Sequence, residues 1–220
     1  MKLEITVPES LSEITLEQYQ RFEKLNTKQN EDTIFLLQKM IEIFCNLDLK
    51  DVATIKYKSV QHVTSLINDV FDVKHKLIPT FELNGAEYGF IPVLDDLTLG
   101  EYIDLDENLA DWQTMHKAMS VLYRPIKYKK GSKYQIEEYK GLEQANTLKQ
   151  MPLDVAFGAM VFFYNLSNEL VQTILSYLHK EIPNTLTTLQ MERLALNGAG
   201  SSQSMVWLKG MLPDLTRLQN

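Results

Sequence analysis

Apolar residues recur at helical spacing along most of the chain and switch to strict alternation in two short places. Thr15-Leu16-Glu17-Gln18 has the form of a capping box, a hydroxyl at the N-cap with Gln three residues on, and predicts a helix to about Leu25. Asn30-Glu31-Asp32 puts acid where a helix dipole favours it, ahead of a broad apolar face of Ile34, Leu36, Leu37, Met40, Ile41, Ile43 and Phe44. A shorter helix is expected at Leu49–Ile55. Another is expected from about Ser59 to Phe71, with Val60, Val63, Leu66, Ile67 and Val70 on one side. Met1 to Pro8 alternates and reads as a short strand ended by Pro8.

From Thr80 to Phe90 the period becomes two. Asn84-Gly85 supplies the positive-φ pair of a type I′ turn, so Leu83 should face Ala86 and Phe81 should face Tyr88. Glu82 then opposes Glu87, and like charges across a pair are destabilising unless that face meets water or a cation. Thr98-Leu99-Gly100-Glu101 is another capped start, and a helix over Leu109–Tyr123 should stop before Pro125. Ile126 to Ile136, with Lys130-Gly131-Ser132 near its turn, is a second hairpin in which Tyr128 and Tyr134 should face inward and the lysines outward. Helices are expected at Leu142–Gln150, Leu153–Leu178, Thr185–Ala195 and Gln203–Met211, the last two separated by the loop Asn197–Ser202. These elements make the fold class mainly α: a single α-rich domain over 1–220 with a small β element of two hairpins. Residues 76–140 form its hairpin-containing region and 196–220 its C-terminal loop and helix.

Composition narrows the class. With 220 residues, 45% hydrophobic and 23% charged, the chain can bury a core. One cysteine cannot form an intrachain disulfide, and Cys45, inside Ile43-Phe44-Cys45, reads as a small buried hydrophobe. The most apolar run, Val155–Tyr164, falls well short of the roughly 20 residues of a membrane span and predicts a buried helix. No signal-peptide pattern opens the chain, so a soluble intracellular protein is expected.

The net charge of −7 is unevenly spread. From Leu77 to His116 there is no Lys or Arg, against Glu82, Glu87, Asp95, Asp96, Glu101, Asp104, Asp106, Glu107 and Asp111. Directly afterwards come Lys117, Arg124, Lys127, Lys129, Lys130, Lys133 and Lys140, opposed by Glu137 and Glu138. The blocks are either two solvated faces or complementary interaction surfaces, in which the acidic patch of one copy meets the basic hairpin of the next. Head-to-tail contact of that kind makes rings or filaments. Arg124 is expected to anchor the helix-to-hairpin turn through a two-pronged contact to a carboxylate of the acidic block. The acidic total argues against a nucleic-acid coat. The Lys/Tyr hairpin 123–140 nevertheless offers a local site for single-stranded nucleic acid.

Chemistry is not legible. There is no phosphate-binding glycine loop, no nucleophile elbow and no zinc-ligand spacing among His62, His75, His116 and His179. His116 and His179 fall in expected helices, as partly exposed polar residues. Asp104-Leu105-Asp106-Glu107 lacks the EF-hand pattern, and Asp104 and Asp106 read as preceding and capping a helix that starts near Asn108. No catalytic, metal or cofactor residue is assigned.

Four segments together carry a resemblance: Phe81-Glu82-Leu83-Asn84-Gly85-Ala86-Glu87-Tyr88-Gly89-Phe90-Ile91-Pro92, Leu97–Leu105, Leu122-Tyr123-Arg124-Pro125-Ile126, and Met151–Ala159. Over roughly Phe81 to Leu178 the chain resembles proteins encoded among the virion and tail genes of tailed bacteriophages, notably crAss-like and related phages of Bacteroidetes. The resemblance implies a virion component, virion cargo or tail-assembly chaperone, located in the virion or the infected host's cytoplasm, with other virion or tail proteins as partners. It implies no catalytic or binding residue. The alternatives are a nucleic-acid-binding module on the Lys/Tyr hairpin, a hydrolase using the carboxylate-rich segment, and a host adaptor domain with no virion role.

Overall fold

The structure, a computed structural model, describes residues 5–30 and 33–181. The N-terminal helices start where side chains satisfy free backbone donors. Thr15 caps α1 (Leu16–Glu23), with its hydroxyl accepting from Gln18 N while Gln18 Oε1 accepts from Thr15 N at 2.8 Å. The other end of that amide donates to Ile43 O at 2.8 Å. A glutamate would cap equally well but could not make this bond, so Gln18 also ties α1 to α2 (Ile34–Phe44). Thr33 caps α2, its hydroxyl accepting from Leu36 N; Glu31 and Asp32, expected near this start, lie outside the described residues. Next come the short α3 (Leu49–Val52) and the longer α4 (Tyr57–Phe71), which buries Val60, Val63, Ile67 and Val70 as the spacing predicts but leaves Leu66, expected on the same side, exposed.

The hairpin β1 (Thr80–Leu83) and β2 (Ala86–Phe90) has the expected register, Phe81 opposite Tyr88 and Glu82 opposite Glu87. Asn84 and Gly85 both take positive φ, 52° and 77°, as a type I′ turn requires. After the 3-10 turn Leu94–Asp96, α5 (Leu99–Leu109) starts on a second capping box, Thr98 with Glu101. α6 (Met115–Leu122) runs straight into β3 (Tyr123–Lys130), because Pro125 pushes Arg124 out of helical geometry. β4 (Lys133–Ile136) returns along β3.

β2 also pairs with β3, Phe90 opposite Tyr123, so both hairpins belong to one antiparallel sheet of order β1-β2-β3-β4. The fold is therefore mixed, helices packed on a four-stranded sheet, rather than plainly mainly α. A 3-10 helix, Leu142–Gln150, takes the place of the α-helix expected there, and leads into α7 (Leu153–Glu181).

Other expectations need correction. The single helix over Leu109–Tyr123 is broken: α5 has already begun at Leu99, and Ala110–Thr114 separate it from α6. Asp111 Oδ1 accepts from Gln113 N, and the Thr114 hydroxyl donates to Asn108 O and Asp111 O, so local side-chain bonds replace the helical ladder. Asp104 and Asp106 consequently lie inside α5 instead of capping a helix at Asn108. Of the strand expected over Met1–Pro8, residues 5–8 join no strand and residues 1–4 lie outside the described residues. The helices expected at Thr185–Ala195 and Gln203–Met211, and the loop between them, lie outside the described residues.

One continuous core joins these elements. Its most deeply buried side chains include Leu153, Ala156, Phe157, Ala159 and Met160 of the first half of α7 and Met115, Met119 and Leu122 of α6. Of the run Val155–Tyr164 expected as a buried helix, Val155–Met160 is buried and Val161–Tyr164 is half-buried. Phe157 packs edge-on to Tyr19, Trp112 and Phe71 and stacks on His75. Burying a side chain of that size contributes about 1.5–3 kcal/mol. The start of α7 is held by the segment that leads into α1: Leu16 N donates to Met151 O at 3.0 Å and Leu153 N to Ile14 O at 2.8 Å. Among the described residues no helix is long and apolar enough to cross a membrane.

The sheet is placed on α7 by a close backbone crossing. A Cβ on Gly158 would stand 2.2 Å from Lys76 O, in the segment that leads into β1. Alanine would gain about 1 kcal/mol of helix propensity at this position. Forcing the crossing apart costs about 1–3 kcal/mol or more and decides the sign. Gly158→Ala is expected to lower the urea midpoint with an unchanged slope; an equal or higher midpoint would show that the crossing is not tight.

Candidate functional site

The strongest convergence of polar groups lies where α5 meets the α6–β3 junction and residues 137–141. Glu101, at the third position of α5, is buried. Its Oε2 accepts from Thr98 N and the Thr98 hydroxyl at 2.8 and 2.7 Å, completing the cap. Its Oε1 lies 2.8 Å from Arg124 Nη1, with the two side chains 5% and 12% exposed. With Oε2 given to Thr98 and Arg124 Nε buried without a hydrogen-bond partner, the contact is single-pronged rather than the two-pronged grip expected of it. The Tyr139 ring lies 5.9 Å from the guanidinium carbon, and its hydroxyl donates to Asp104 Oδ2 at 2.6 Å. Burial first, and then the bond to Asp104, raise the Tyr139 phenol, which stays a donor.

Beside this cluster is a recess of about 60 Å³ bordered by Tyr88, Tyr123, Arg124, Glu137 and Tyr139. Small-molecule sites usually offer about 300–1,000 Å³. This recess has room for water, and the arrangement orders backbone and charge rather than enclosing a substrate.

The residues singled out by charge separate into two groups. Glu87, Glu101, Asp104, Arg124 and Lys129 are engaged within the chain: Glu87 pairs with Lys129, Glu101 with Arg124, and Asp104 with Tyr139. Lys129 is the cation that the Glu82–Glu87 face requires. Glu82, Asp95, Asp96, Lys127, Lys130 and Lys133 are exposed and make no ion pair among the described residues. Tyr128 is 59% exposed, contrary to the inward orientation expected of it. The irregular register between Ile126 and Tyr128 turns it out of the alternation. Tyr134 does pack inward: its ring covers Gly89 and its hydroxyl donates to Phe90 O at 2.8 Å.

Two groups with reactive side chains are held inert. Cys45 is buried, and desolvation pushes its thiol up to about 11. His116 is buried rather than partly exposed. Desolvation first, with Lys149 and Lys117 adding to it, lowers its pKa to about 4. Gln20 Nε2 donates to Trp112 O at 2.6 Å and lies 3.2 Å from His116 Nδ1, which as a neutral ring nitrogen accepts. This Gln20–His116 pair was not visible in the sequence; its one trace is a glutamine on the apolar side of α1. Among the described residues no three His, Cys, Asp or Glu are placed to hold a metal ion.

Compared with protein-family models, curated proteins and solved structures, the chain matches none of them.

Glu101→Gln keeps the shape but leaves one amide end facing either Thr98 or Arg124 with the wrong polarity. It is expected to cost about 2–4 kcal/mol in urea unfolding; a loss below about 0.5 kcal/mol would show that the pair is not needed. His116 binds its proton at about 4 when folded and at 6.5 when unfolded, so its contribution is present above pH 6.5 and is lost as pH falls toward 4. Between pH 7 and 5 it should remove about 2 kcal/mol. His116→Gln is expected to flatten stability over that interval relative to wild type, and parallel profiles for the two proteins would contradict a neutral buried ring.

Proposed function

We propose that this chain is a non-enzymatic structural or assembly protein of a tailed bacteriophage that acts through protein–protein contacts. It serves as a tail or head–tail connector component, as virion cargo or as a tail-assembly chaperone. One observation carries the reading. Among the described residues, the buried groups with chemical capacity hold the fold, Glu101 and Tyr139 in polar pairs, His116 neutral and Cys45 buried. Lysines, carboxylates and apolar side chains are prominent among the described residues that face outward. The resemblance of Phe81–Leu178 to products of virion and tail genes supports the same reading, and with it a location in the virion or the infected host's cytoplasm.

Mass spectrometry of purified particles separates the roles. A permanent component or cargo is expected in the particles at fixed stoichiometry. A chaperone is expected to be absent from them, while its deletion blocks tail assembly. A protein absent from particles and dispensable for their assembly would overturn the proposal.

A further inference from the structure

The outer side of α5 is apolar where a solvated helix should be polar. Leu99 is 75% exposed and Ile103 45%, and the two stand one turn apart on the same face. Tyr102 is exposed beside them on the helix, and Val93, ahead of the 3-10 turn, is exposed as well. The buried side of α5 is a different set, Glu101, Leu105, Asn108 and Leu109, so the exposed stripe is not needed for the fold. Acid borders the stripe at both ends, Asp95 and Asp96 before it and Glu107 one turn beyond Ile103.

The β3–β4 hairpin tip has the opposite character. Tyr128 stands 59% exposed. Lys127, Lys130 and Lys133 are exposed around it, and no carboxylate occurs from Ile126 to Ile136. β2 pairs with β3 in the ladder at Tyr123 to Pro125, and beyond that point Lys129 and Tyr134 still reach back to Glu87 and Phe90 of β2. One surface is apolar with an acidic rim, and the other is an aromatic ring with a basic rim.

We propose that these are the two halves of one contact, in which the hairpin tip of one copy docks on the α5 face of the next. Tyr128 packs against Leu99 and Ile103. Lys127, Lys130 and Lys133 meet Asp95, Asp96 and Glu107. Because the two patches are different surfaces of one chain, the contact is head-to-tail and generates a ring or a filament rather than a two-fold dimer. Complementary rims fix the register and speed encounter, and the apolar centre supplies affinity. The proposal deepens the reading that the chain works through protein contacts, but it does not depend on where in a particle or cell the chain acts.

Sedimentation velocity of the full chain over a range of concentrations is the test. Wild type is expected to associate beyond the dimer at low salt and to dissociate progressively as sodium chloride is added. A hairpin variant (Lys127→Glu, Lys130→Glu, Lys133→Glu) and a face variant (Leu99→Asp, Ile103→Asp) should each associate at least about tenfold more weakly. Mixed together, they should form a 1:1 heterodimer that goes no further, since each supplies the half the other lacks. Circular dichroism melts matching wild type keep the result independent of misfolding. A wild-type monomer at every concentration, or variants that fail to complement on mixing, would overturn the proposal. So would a hairpin that instead binds a single-stranded oligo-dT with salt-dependent affinity while the protein stays monomeric. Such failures leave the mass spectrometry of particles untouched, so the two readings fall separately.

Discussion

Two opposite charges removed from water must meet each other, and the junction of sheet and helices is built on that requirement. Glu101 and Arg124 are taken into the interior together, and breaking such a pair costs more than the pair contributes. The same carboxylate completes the N-cap of α5, so capping and ion pairing share one side chain. Arg124 in turn sits opposite Gly89 in the ladder. Helix start, charge neutralisation and strand register are therefore one arrangement, and Tyr139 and Asp104 close it from the side.

The charge pattern takes on a different meaning in three dimensions. Along the chain it is an acidic block followed by a basic one. In space some members of each block neutralise one another, Glu87 with Lys129 and Glu101 with Arg124. The charge left exposed is a smaller and more specific set, carboxylates around α5 and lysines at the hairpin tip. Part of the segregation is thus structural, and the remainder lies beside apolar surface that water does not favour.

Local rules were readable in the sequence, and contacts between distant segments were not. Both hydroxyl-led caps and the Asn84-Gly85 turn are decided by residues within four positions of each other, and all three stand as expected. That Arg124 would find an acidic-block carboxylate was also legible, because a lone arginine entering apolar surroundings requires one. Which carboxylate it finds depends on α5, whose extent was hidden by the turn at Ala110–Thr114. The merging of two hairpins into one sheet depends on β2 meeting β3 across more than thirty residues, and no local signal encodes it. Tyr128 was misplaced for a related reason: one register shift reverses the facing of every later side chain in the strand, and alternation alone does not announce it. The Gln20–His116 bond joins residues separated by 96 positions and left no pattern to read.

The pairing of Ile14 and Leu16 with Met151 and Leu153 has a consequence in time. The surroundings of α1 are completed by a segment synthesised long after it. At ordinary elongation speeds the ribosome needs on the order of ten seconds to cover that distance. Through that interval the apolar side of α1 has no α7 to cover it, and closing so long a loop is itself slow. A newly made chain therefore passes through a vulnerable period whose length is set by its own topology, and a holding chaperone or rapid synthesis would shorten the exposure.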